Sequence, residues 1–177
     1  MDEAREILPG YLTTPPAVVR LFNEETTVER EIIKHLQTPA LGWTYRSREQ
    51  VTALRPDERE VLLLPLLREK LKQLNPTILT DEARVDAIMT KLRACRDNQQ
   101  WLAWLQNGVN YKLDPAENAR DVRLIDFDNL DANDWWVTNQ FPVDGNSPRR
   151  PDIVLLINGI PVVVIEAKTA SRNKPDW

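Results

Sequence analysis

The sequence predicts an α+β fold, or a mixed α/β sheet flanked by helices. Three observations carry this. Apolar residues recur at helical spacing in 27–37, 56–74 and 81–96. From residue 122 onward, runs rich in β-branched and aromatic residues replace that spacing. Finally, two apolar runs, Ile153 to Ile157 and Ile160 to Ile165, flank Asn158-Gly159, the strongest short hairpin signal.

Pro9, Gly10, Pro15 and Pro16 mark residues 1–16 as extended. Residues 1–25 therefore read as an arm and 26–177 as one domain. The first helix, over 27–37, places Val28, Ile32, Ile33 and Leu36 on one face, and Pro39 stops it. Gly42-Trp43-Thr44-Tyr45 begins an extended piece. A long helix is expected over 56–74, kinked or broken at Pro65 and ended by Asn75-Pro76. The helix over 81–96 turns Val85, Ile88, Met89 and Leu92 inward. A short one over 101–105 is closed by Gly108. Strands are expected over 122–127 and over 135–141, the second ended by Pro142. The hairpin supplies two more.

At 177 residues the chain has the length of one domain. Its 42% apolar and 28% charged residues are ordinary for a globular protein. The formal charge of −4 is unusual for a domain that grips nucleic acid unaided, so any DNA affinity must be local or supplied by another domain. One cysteine, Cys95, excludes an internal disulfide and fits a reducing compartment. With a single histidine, His35, it also excludes an ordinary His/Cys zinc site. Neither residue has a partner motif. The N-terminus does not resemble a signal peptide, and no apolar run approaches the ~18 residues of a membrane span.

The chemistry concentrates on the hairpin. Asp152 stands at its start and Glu166-Ala167-Lys168 at its end. Two carboxylates and an ammonium at one end of a buried hairpin are costly unless a cation and a phosphate use them. A Mg²⁺-dependent phosphodiesterase, a DNA nuclease above all, is the reading that uses all three. Asp152 and Glu166 would bind the cation through oxygens, with the Ala167 carbonyl as a further ligand. Lys168 would hold the attacking water or neutralise the transition state. The competing reading is a strand-initial acid with a surface ion pair at the far end.

Register discriminates between them. A plain two-residue loop pairs Ile157 with Ile160 and Asp152 with Ile165, which sends Asp152 and Glu166 to opposite faces. The nuclease reading therefore requires a three-residue loop, or a β-bulge near the acidic end.

At these residues the sequence resembles the PD-(D/E)xK nuclease superfamily. More narrowly, RPDIVLLINGIPVVVIEAK is similar to the hairpin of the N-terminal domain of type I restriction enzyme R subunits. The acidic helix followed by Gly42-Trp43-x-Tyr45, and the segment 122–141 ending Asn139-Gln140-Phe141, match that family's layout. The resemblance implies a restriction-endonuclease-like core with Asp152, Glu166 and Lys168 in the catalytic positions. It implies a glutamate from the first helix near the metal, with Glu29 the better match and Glu31 the alternative. An exposed helix-initial acid is the competing account of Glu29. Mg²⁺ would be the cofactor, with Mn²⁺ as substitute.

The resemblance further implies a large cytoplasmic protein acting on double-stranded DNA with methyltransferase and specificity subunits. ATP would be used only by motor domains outside this sequence, which contains no P-loop motif. The family's Q-x-x-x-Y motif, on a following helix, is also absent, so a fragment of a longer chain is expected. Arg149, Arg150, Arg172 and Lys174 flank the hairpin as candidate phosphate contacts, with solvated charge as the alternative. Trp101, Trp104, Trp135 and Trp136 are candidate base-stacking residues, although core packing is favoured for one of each pair. Two other readings stand: a repair or resolvase-type nuclease of the same superfamily, and a non-catalytic docking domain.

Overall fold

The computed structural model describes residues 24–112, 116 and 118–167. The expected arm falls outside them, apart from the start of the first helix. That helix, α1, spans Glu24–Leu36. Thr44–Tyr45 form β1, and helices α2 (Arg48–Thr52), α3 (Leu64–Leu74), α4 (Glu82–Ala94) and α5 (Asn98–Asn107) follow. Strands β2 (Val109–Tyr111) and β3 (Arg120–Val122) pair with each other. Strands β4 (Trp135–Asn139), β5 (Ile153–Ile157) and β6 (Ile160–Ile165) complete a four-stranded sheet in the order β1-β4-β5-β6. β1 runs parallel to β4 and the other pairs are antiparallel, so the sheet is mixed and the fold is α+β.

Helix ends follow local chemistry. Ser47 and Gln50 form a reciprocal capping box on α2. Asp81 caps α4 and Asp97 caps α5. Gly108, at φ +84°, lets the chain leave α5 for β2.

The expected helix over 56–74 is a correction. Only its second half is helical, and Pro65 lies in the first turn of α3. There the missing N–H costs nothing and the fixed φ favours the helix, so Pro65 starts this helix and does not kink one. Leu62 and Leu63 are buried ahead of it in non-helical chain. The first strand expected after the helices, over 122–127, ends at Val122 and begins two residues earlier. Helix α2 and strand β2 had no counterpart among the expected elements.

Three apolar clusters hold the layers together. One face of the sheet buries Val137, Ile153 and Leu155 against Ile33 of α1. The other buries Val154, Leu156 and Phe141 against Val51 of α2 and Leu63. The largest cluster joins Leu67 and Leu71 of α3 to Val85, Ile88 and Leu92 of α4, and it takes in Ile157 and Ile160 at the hairpin tip. Each fully buried leucine or isoleucine contributes about 2 kcal/mol. The hairpin is thus wedged between α1 on one side and the helical layer on the other, with its acidic end pointing away from that layer. No described helix is long and apolar enough to cross a membrane.

Candidate active site

The turn of the hairpin has two residues. Asn158 and Gly159 have φ of +54° and +83°, as a type I′ turn needs, and Ile157 pairs with Ile160. Taken alone, this register would send Asp152 and Glu166 to opposite faces. It is corrected by one bulge: Leu156 pairs with Pro161 and Leu155 with Val163, leaving Val162 unpaired. From there the ladder runs to Ile153 opposite Ile165. Continued by one residue beyond the paired strands, this register would direct Asp152 and Glu166 to one face. The bulge that the nuclease reading required is present. It lies beside the turn and not near the acids, and Pro161, which has no N–H for the ladder, sits next to it.

Asp152 is half-buried, and its Oδ2 accepts the Ala167 N–H at 2.7 Å. Its Oδ1 accepts from Gln140 Nε2 at 3.3 Å. The same Nε2 donates to Glu29 Oε1 at 2.9 Å. Glu29 comes from α1 and is 4% exposed. Its Oε2 takes a longer contact of 3.4 Å from Asn139 Nδ2, and the Tyr45 hydroxyl donates to Asn139 Oδ1 at 2.9 Å. Glu31 faces solvent and pairs with Lys34 at 3.9 Å. Of the two α1 candidates, only Glu29 is linked to Asp152, through the Gln140 amide.

Among the described residues, neither Glu29 nor Asp152 forms an ion pair with a lysine, arginine or histidine. Among the described residues, these two carboxylates, one of them buried, are answered only by neutral amides. Glu166 is exposed on the adjacent strand end. Among the described residues no three acid, histidine or cysteine side chains close around one point. The donors that do converge are oxygens, the ligands a hard divalent cation takes. Lys168, Arg172 and Lys174 lie outside the described residues. Arg149 and Arg150 are exposed on the approach to Asp152, and Arg149 makes a backbone bridge to Val143.

Residues that motif reasoning passed over support this arrangement. Gln140 has φ +52°, a left-handed conformation costing about 1–2 kcal/mol for a non-glycine residue. Its N–H donates to the Asp152 carbonyl at 2.8 Å and the next N–H, of Phe141, donates to Pro151 O at 3.1 Å. Arg55 holds the segment that follows. It donates to Pro142 O at 3.0 Å and Glu60 O at 3.1 Å, and its guanidinium lies 4.1 Å from the Phe141 ring. Burial pushes its pKa below the ordinary value, opposed by Glu58, Asp57 and Glu60. Asn139-Gln140-Phe141 belongs to the layout that the resemblance matched, but that match gave Gln140 no role, and Arg55 lies in no motif. The available signal was Asn139-Gln140 placed just before Pro142.

All four candidate tryptophans make packing contacts. Trp104 is buried, with Trp101 against it edge-on at 5.9 Å. Trp135 and Trp136 are both half-buried. Trp135 meets Trp43 edge-on at 5.3 Å, and Arg46 covers Trp136 at 4.8 Å.

A family model describing the type I restriction enzyme R protein N terminus matches residues 21–176. A putative type I restriction enzyme MjaIXP endonuclease subunit of Methanocaldococcus jannaschii is 32% identical over 169 residues. The type I restriction enzyme HindI endonuclease subunit of Haemophilus influenzae is 30% identical over 168. Each alignment covers 86% of this chain but 16% of the relative, so the chain spans about a sixth of the length of these curated relatives.

Proposed function

The chain belongs to the type I restriction enzyme R protein N-terminus family, and from that premise we propose that it is a Mg²⁺-dependent nuclease domain that cleaves double-stranded DNA within a restriction complex. The observation that carries this reading is the bulged register, which directs Asp152 and Glu166 toward one face, with Glu29 of α1 linked to Asp152 through Gln140. An acid at a strand start and an acid at a strand end, brought to one face by an irregularity in an otherwise regular hairpin, fit a shared ligand better than chance surface charge.

In this reading Asp152, Glu166 and the Ala167 carbonyl hold the cation, and Glu29 contributes from behind. The cation would draw charge from the scissile phosphate and lower the pKa of a bound water. Lys168, two residues beyond Glu166 in the sequence, would orient that water or meet the charge developing on phosphorus. Arg149 and Arg150 position the DNA backbone on the approach. ATP use belongs to the rest of the R subunit, and target recognition to the methyltransferase and specificity subunits. The net charge of −4 suits a domain to which other parts deliver the DNA.

The exposure of Glu166, with no three acids gathered at one point among the described residues, favours the second reading, a docking domain that keeps the nuclease fold. Lys168→Ala in the full-length subunit, assembled with its partners, separates the two. The nuclease reading expects DNA cleavage to fall by roughly 100-fold or more while ATP hydrolysis continues. Unchanged cleavage would establish the docking reading.

A further inference from the structure

Resting on the metal-dependent reading above, we propose that Gln140 is a place-holder for the cation: its amide nitrogen occupies the point between Glu29 and Asp152 and turns away when the metal enters. Carboxylate oxygens only accept, so the nitrogen of Gln140 must be the atom facing both acids. It donates to Glu29 Oε1 at 2.9 Å and to Asp152 Oδ1 at 3.3 Å, a geometry in which one donor stands where a single cation would bind both oxygens.

Each acid also has a second hold that does not involve this side chain. Asp152 Oδ2 is fixed by the Ala167 N–H, and Glu29 Oε2 by the longer contact from Asn139. The Gln140 amide is therefore not needed to aim the carboxylates. What it alone does is fill the space between them and soften their mutual repulsion. The left-handed backbone at Gln140 makes this possible, because it breaks the strand alternation and turns the side chain toward both acids.

Hydrogen bonds from the amide to the two carboxylates must break before a metal binds, and the binding free energy is reduced by their worth. Gln140→Gly removes them and keeps the backbone at no steric cost. Gln140→Lys places a permanent ammonium at the same point.

The test is calorimetric titration of the full 177-residue chain with Mn²⁺, together with its thermal midpoint, for wild type, Asp152→Ala, Gln140→Gly and Gln140→Lys. The proposal expects Gln140→Gly to bind Mn²⁺ about tenfold more tightly than wild type. It expects Gln140→Lys to bind none and to melt above the metal-free wild type. Tight binding by Gln140→Gly where wild type binds none would also support it, provided that Asp152→Ala in the Gln140→Gly background abolishes the binding. Weaker or equal binding by Gln140→Gly, with wild-type binding lost in Asp152→Ala, would overturn the place-holder and leave the metal site standing. No binding by either wild type or Gln140→Gly would overturn both.

Discussion

The two ends of one hairpin solve the problem of buried polarity in opposite ways. At the turn, Asn158 is fully buried and every polar group of its side chain is matched. Its Nδ2 donates to Leu124 O at 2.8 Å and Asn133 Oδ1 at 2.9 Å, while its Oδ1 accepts the Asp134 N–H at 2.9 Å. At the other end, Glu29 and Asp152 face two amides and the Ala167 N–H, with no cation among the described residues to balance them. A neutral network whose donors and acceptors are paired stabilises a fold. Clustered negative charge with only neutral donors does not, and a ligand is the physical reason to keep it. The turn anchors the hairpin in the helical layer, so the acids at the far end are held by structure in which they take no part.

That contrast can be broken from the turn. Asn158→Ala should cost about 3 kcal/mol or more, because it leaves the Asp134 N–H and the Leu124 carbonyl without this partner and puts alanine in a left-handed turn. Urea denaturation measures this, and the folded fraction should keep its affinity for Mn²⁺. Gly159→Ala is the next largest. A Cβ there would lie 3.0 Å from Leu63 O with φ at +83°, and a loss of about 2 kcal/mol is expected by the same measurement. The smallest stability effect belongs to the acidic end. Asp152→Asn relieves repulsion with Glu29 but sets its NH2 against the Ala167 N–H or the Gln140 amide, so the metal-free chain should change by less than about 1 kcal/mol while losing its response to Mn²⁺.

The same contrast explains what could be read from the sequence. Asn158-Gly159 between two apolar runs specified the hairpin, because a type I′ turn needs positive φ at both positions. The caps at Asp81 and Gly108 are equally local, and α4 begins and α5 ends where these residues dictate. Pro65 was misjudged because its effect depends on whether a helix already exists upstream. Residues 56–63 are instead drawn against the hairpin tip, where the Leu63 N–H donates to Gly159 O at 2.9 Å. Asp152 and Glu166 were visible as residue types, and the need for a bulge was deducible. Its place beside Pro161 was foreshadowed only by proline's missing donor. Gln140 was invisible as a functional residue, since its backbone twist arises from bonds to Asp152 and Pro151, residues remote in sequence.

The most direct measurement is a crystal of the chain soaked in Mn²⁺ and examined by anomalous diffraction. The account predicts a single strong peak at the acidic end, within about 2.0–2.3 Å of oxygens from Asp152, Glu166 and Glu29, with the Gln140 amide displaced from between Asp152 and Glu29. A crystal in which Gln140 still bridges the two acids, with no peak beside Asp152 at saturating Mn²⁺, would contradict it.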